Sequence, residues 1–170
     1  MDFKRISVEN GEWNKLWTSW DEQCDSYGEK LDEYAVGSIA AIRPLANGGQ
    51  TSSSGVYGLV DEQAVHSICQ LNTALLPGYT GKVLRLRHLV LAPRFDYDDS
   101  VNLDEYVTVL SKMFAGAVEI SGTEMLSDHI KLHLQSPADK EFFKLFQDKL
   151  RQFSVFNTVE LRGAWLYISK

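Results

Sequence analysis

Cysteine and proline are scarce: the 170 residues hold only Cys24, Cys69 and four Pro. The two cysteines stand far apart and outside any C-x-x-C spacing, which excludes a disulfide framework and a zinc site and predicts two reduced, mostly buried thiols. No run of about 18 apolar residues occurs, so no membrane-spanning helix is expected. Positive charge is also in deficit. Seventeen Lys and Arg stand against 23 Asp and Glu, a formal charge of −6, which excludes the broad basic footprint that nucleic acid or anionic lipid would need. The stretch Met1-Asp2-Phe3-Lys4-Arg5-Ile6 lacks the apolar core of a secretory signal, and a cytoplasmic location is the expectation. Walker loops, nucleophile elbows, metal-binding His pairs and internal repeats are absent, and no metal is expected.

What is present is a chain 44% hydrophobic, enough for one domain over residues 1–170 with a substantial core. Trp13, Leu16, Trp17, Trp20 and Cys24 follow the i, i+3, i+4, i+7 series of a helix with one buried face, interrupted near Gly28. A second helix carries Leu31, Tyr34, Ala35, Ile39 and Ile42, and is expected to end near Arg43 because Pro44 disfavours helix in the residue before it. Residues 45–55, rich in Gly and Ser, read as a loop within the domain.

The periodicity then changes. Residues 56–60 and 64–73, separated by Asp61-Glu62-Gln63, read as a hairpin, and residues 83–91 as an apolar strand closed by Pro93. Leu103, Tyr106, Val107, Leu110, Met113, Phe114 and Ala117 mark the clearest helix, with Asn102 and Glu105 as its capping box. Ile130, Leu132 and Leu134 alternate with Lys131 and His133 in another strand. Pro137 opens a helix containing Phe142, Phe143, Phe146 and Leu150. Two strands, at residues 153–159 and 161–169, complete the chain. This order predicts an α/β (α+β) domain: one mixed, mostly antiparallel central sheet flanked by helices.

Candidate chemistry concentrates on two strands. His88, near its ordinary pKa, suits a general base for an amine; strict alternation places it with Leu84, Leu86 and Val90, the setting of a buried, hydrogen-bonded histidine. Arg85 and Arg87 share the other face, as do Lys131 and His133 on the later strand. If the strands are neighbours, these four form a basic patch suited to an anionic or carboxylate substrate; the competing expectation is a solvated face salt-bridged to helical carboxylates.

Leu89-Val90-Leu91-Ala92-Pro93, the segment Ser136-Pro137-Ala138-Asp139-Lys140-Glu141-Phe142-Phe143 and the ending Trp165-Leu166-Tyr167-Ile168-Ser169-Lys170 together resemble the GNAT acyltransferases. In that family the first is the apolar-x-Pro end of the central strand. The second has the spacing of an Asn-x-x-Ala-x-x-Phe-Tyr pattern, and the third is like the closing strand. The resemblance extends in element order over residues 3–170 and in local pattern over residues 84–146. It implies an acyl-CoA N-acyltransferase-like fold, with acetyl-CoA or another acyl-CoA as donor and a small-molecule or protein acceptor. It also implies a cofactor-binding set of Leu91, Ala92, Arg94 and Ser136; a homodimer, formed along an exposed sheet edge, belongs to the non-catalytic alternative. Where the family places a glycine-containing loop for the coenzyme pyrophosphate, this chain has Asp96-Tyr97-Asp98-Asp99-Ser100-Val101. Where many members carry a proton-donating Tyr, it has Phe143. These departures define the alternative, a non-catalytic binding module or small-molecule sensor on the same fold.

Overall fold

The computed structural model describes residues 1–133 and 156–170. The helix expected from Pro137, with Ser136 and Phe143, lies outside the described residues. The elements are β1 (Asp2–Arg5), α1 (Glu12–Ser26), α2 (Val36–Pro44), β2 (Ser54–Val60), β3 (Val65–Leu75), β4 (Lys82–Leu91), α3 (Arg94–Tyr97), α4 (Leu103–Gly122), β5 (His129–His133), β6 (Thr158–Arg162) and β7 (Trp165–Ser169). The strands form one sheet in the order β1-β2-β3-β4-β5-β7-β6; among the described residues only β4 and β5 pair in parallel. That parallel step is where α4 crosses over, as a same-direction strand pair requires.

Two cores lie on opposite faces of the sheet. On the first face α4 packs Val109, Leu110, Met113, Phe114 and Ala117 over Leu71, Leu84, Leu86, Leu132, Leu166 and Ile168. On the second, Trp13, Leu16 and Trp20 of α1 and Ile39 and Ile42 of α2 cover Val56, Val60, Val65, Ile68 and Val90. Each fully buried Leu or Ile contributes about 1.5–3 kcal/mol of transfer free energy. Trp20 adds direction: its Nε1 donates to the Val65 carbonyl at 2.7 Å and fixes α1 against β3.

Local chemistry explains most boundaries. Asn102 caps α4 as expected, its side chain accepting from the Glu105 N–H at 2.9 Å. Gly116 lets α4 approach β1, since a Cβ there would lie 2.3 Å from Cγ of Phe3. Cys24 and Cys69 are both free and buried.

Several expectations are corrected. The second helix begins only at Val36, because Ala35 takes a left-handed conformation (φ 46°) and leaves Leu31 and Tyr34 in the preceding turns. It ends at Pro44, one residue past the expected Arg43, and a single wide turn follows at Leu45–Gly49, in which Asn47 (φ −85°, ψ 25°) and Gly48 (φ 107°) have left helical geometry. The last hairpin turns at Gly163 (φ 61°), later than expected, where positive φ is free of steric cost. Leu103, placed on the buried face of α4, is 74% exposed because it is the first residue of the helix and precedes the packed turns. The edge strand β1 and the single turn α3 were not foreseen.

Candidate functional site

The sheet opens at one point. β4 and β5 pair from Val83 with His129 to Leu86 with Leu132 and then separate: His133 pairs with Trp165 of β7 but has no partner on β4. A bulge in β4 coincides with the separation. Val90 pairs with Ile68 and Arg87 with Gln70, leaving His88 and Leu89 together opposite Cys69. His88 adopts φ 50°, a left-handed conformation that an L-residue enters only at a cost of about 1–2 kcal/mol. Bulges bend a strand and increase its twist, so the extra residue accounts for the divergence.

The bulge also corrects the expected alternation. Leu84 and Leu86 face α4, whereas Val90 lies in the opposite core with α1 and α2. His88 is the residue at which the faces exchange. It is half-buried, and among the described residues its ring has no hydrogen-bond partner, contrary to the bonded core histidine that alternation suggested. Burial, then the charges of Arg87 and His133, push its pKa below the ordinary imidazole value and favour the neutral ring at neutral pH.

Beyond the bulge, Leu89, Val90 and Leu91 line a cleft of about 450 Å³ whose other walls are Tyr34–Ser38, Asp96 and Tyr106. Of the groups expected to hold a cofactor, Leu91 lines this cleft and Ala92 and Arg94 follow it in sequence; each of these three has an internal partner, and Ser136 lies outside the described residues. The Leu91 carbonyl accepts from the Tyr34 hydroxyl at 2.8 Å, and the Ala92 N–H donates to the His66 carbonyl at 2.8 Å. The Arg94 N–H donates to Gln23 Oε1 at 3.1 Å, and its guanidinium pairs with Glu105. Tyr34 also lies 2.9 Å from Asp96 Oδ2; burial and then Asp96 push its phenol pKa up, so it stays protonated.

The acidic loop is satisfied from within. Asp98 Oδ1 accepts from the Ser100 N–H at 2.9 Å and the Ser100 hydroxyl at 2.6 Å, and these bonds hold the Asp98 carboxyl below its ordinary range. Asp104 and Glu105 occupy the first turn of α4 and complement its dipole. A diphosphate does not fit here. The loop offers carboxylates in place of free N–H groups, and Asn102 already caps the helix.

The remaining candidates do come together. Arg85 stands opposite Lys131 across the β4–β5 pair, and Lys131 opposite Tyr167 across β5–β7. Lys131 Nζ lies 4.2 Å from the centroid of Trp165 and 4.9 Å from that of Tyr167. The His133 ring lies 4.4 Å from that of Trp165. The helical carboxylates expected to neutralise this patch do not reach it: among the described residues, Arg85, Arg87 and Lys131 form no ion pair.

Tyr34, Gln23, Trp165 and Tyr167 were not singled out as site residues. Trp165 and Tyr167 were legible, since alternation with the buried Leu166 and Ile168 puts both on the polar face. Tyr34 and Gln23 carry no local signal, because their partners lie 57 and 71 residues away.

Among solved structures, a probable acetyltransferase from Staphylococcus epidermidis ATCC 12228 superposes with a TM-score of 0.57 at 12% identity, covering 99% of this chain and 98% of that one. A second probable acetyltransferase gives 0.52 at 13% identity, with 95% and 98% covered. The chain has the GNAT fold. No family model and no curated relative matches it in sequence. In residues 96–101 and the helix start that follows, Asp98 is bonded by Ser100 and Asn102 caps the Glu105 N–H. Among the described residues, no helix is long and apolar enough to cross a membrane.

Proposed function

We propose that this protein is an acyltransferase of the GNAT fold, moving an acyl group from a thioester donor to an amine of a small-molecule or protein acceptor. The observation that carries this reading is the bulge at His88. It opens β4 from β5 and, among the described residues, leaves the edge from Arg87 to Leu91 without a strand neighbour on that side and the His88 imidazole, next to the cleft-lining Leu89, without a hydrogen bond. A strained backbone and a free, neutral base at one position are what a proton-accepting role requires.

In this reading His88 takes the proton of the attacking amine. The amine nitrogen bonds to the thioester carbonyl carbon, the C–S bond breaks with its electron pair on sulfur, and the proton returns from His88 to that thiolate. The residues present do not supply a cradle for the diphosphate of free coenzyme A. An acyl group borne on a carrier protein, for which the diphosphate is not the main handle, therefore suits the site better than acetyl-CoA.

Calorimetry and thermal shift with acetyl-CoA, longer acyl-CoA donors and an acylated carrier protein, followed by mass spectrometry of an amine panel, test the proposal. Acylated amine that disappears in His88→Gln is the expected result. Absence of heat, shift and product with every donor class overturns it. The second reading, a binding module or sensor, is favoured by the Tyr34 hydroxyl on Leu91 and by the acidic cap of α4. Ligand binding without turnover, or a homodimer in solution that buries the cleft, would select it.

A further inference from the structure

The second face of the sheet carries a second feature. Helices α1 and α2 cover this face over β2, β3 and the end of β4, and their core includes no residue of β5, β6 or β7. Among the described residues the strip beyond them is uncovered. Across it, the pairing register sets Asn72, Arg85, Lys131 and Tyr167 in one row, and places Gln70 beside Arg87 and His133 beside Trp165 in the next.

The charges on this strip do not balance. Arg85 has no hydrogen bond or ion pair among the described residues, and its Nε is shut off from solvent. Burial and then the like charge of Arg87 lower its pKa, so two cations are held together at a cost. Lys131 rests on the faces of Trp165 and Tyr167, which favour its charge without neutralising it. Glu160 is the one carboxylate of the described β5–β7 strands, and it is paired with Arg162, which in turn lies over Tyr167. The other titratable groups facing the strip include His133, Tyr167, His88 at the bulge, Tyr79 and His129; His129 is bonded to Ser169 and to the Thr80 carbonyl and packs against the Tyr79 ring. In a protein of charge −6, three convergent cations that are unpaired among the described residues are an arrangement that an anion would stabilise.

We propose that Arg85, Arg87 and Lys131 form a binding floor for a compact oxyanion, carboxylate or phosphate, on the acceptor, so that the acceptor is an amine-bearing acid. This identification of the acceptor rests on the acyltransferase reading; the oxyanion site itself does not. Arg85 supplies a fork for two oxygens, Lys131 a point charge across the strand, and Trp165 an apolar wall. A neutral amine gains nothing from this floor.

The test is binding without any donor. Inorganic phosphate and malonate are titrated separately into the full chain, followed by thermal shift and by tryptophan fluorescence, to which Lys131 over Trp165 makes the site sensitive. O-phosphoserine against serine and aspartate against asparagine then distinguish phosphate from carboxylate. The proposal expects saturable binding of at least one anion, weakened about tenfold or more in Arg85→Gln and in Lys131→Gln but unchanged in Lys30→Gln. Should a variant fail to fold, competition by added salt in the unmodified chain supplies the second measurement. No saturable anion binding, or binding indifferent to both substitutions, overturns the proposal. Anion binding without acyl transfer leaves the site standing and removes the acyltransferase reading. Transfer to neutral amines with no anion effect does the reverse.

Discussion

Tyr34 donates its hydroxyl to the carbonyl of Leu91 at 2.8 Å, joining the turn before α2 to the end of β4 across 57 residues of sequence. The bond closes one wall of the cleft and occupies a main-chain oxygen at the opened strand edge. Tyr34 sits in an aromatic cluster, with its ring 6.1 Å from Trp20 and 5.8 Å from Tyr97.

Tyr34→Phe keeps the ring and removes the bond. The Leu91 carbonyl then loses its side-chain partner, and the expected cost is about 1–3 kcal/mol of unfolding free energy. Urea unfolding measures it; the midpoint falls with the slope unchanged, since the surface exposed on unfolding is the same.

Strain at His88 is read by exchanging side chains there. Glycine accepts φ 50° freely and a β-branched residue does not, so His88→Val is expected to be less stable than His88→Gly by about 1–2 kcal/mol. Equal stabilities in denaturant titration would show that the bulge is not strained.

The His88 imidazole is expected to titrate below the ordinary histidine value, because burial, Arg87 and His133 all disfavour its charge. Its folded pKa is depressed relative to the unfolded chain. The folded state therefore binds fewer protons, and stability is lost as pH falls from the unfolded value of about 6.5 through the lower folded one. Proton NMR of the ring gives the midpoint, and His88→Gln removes that share of the acid-side loss. Acyl transfer, where detected, should decline on the acid side with the same midpoint.

Gly116→Ala tests the approach of α4 to β1. The added methyl would meet Phe3 Cγ and Cδ1 at 2.3 Å, and Phe3 is itself stacked on Tyr57 with ring centroids 5.6 Å apart. Alanine ordinarily favours a helix, yet overpacking is expected to dominate, with a loss of about 1–3 kcal/mol. Thermal unfolding checks the sign. A double variant with Phe3→Leu should recover part of the loss.

Local pattern alone determined much of this protein. The apolar spacing of Trp13, Leu16, Trp20 and Cys24, the cap at Asn102, the hairpin around Asp61 and the Lys131/His133 alternation each depend on neighbours within a few residues, and each appears in the fold. Arg85 and Lys131 were legible as partners because strand periodicity fixes a face before any pairing is known. Only the tertiary structure decided the site. The bulge at His88 arises from the pairing of β4 with β3, and one extra residue reverses every side chain beyond it, so alternation misplaced His88 relative to Val90. The partners of Leu91, Ala92 and Arg94 likewise come from Tyr34, His66 and Gln23, brought near by folding of the chain. The missing glycines of residues 96–101 could be read directly. That Asp98, Ser100, Asn102 and Glu105 satisfy the helix end among themselves is a matter of hydrogen-bond geometry, which sequence spacing does not fix.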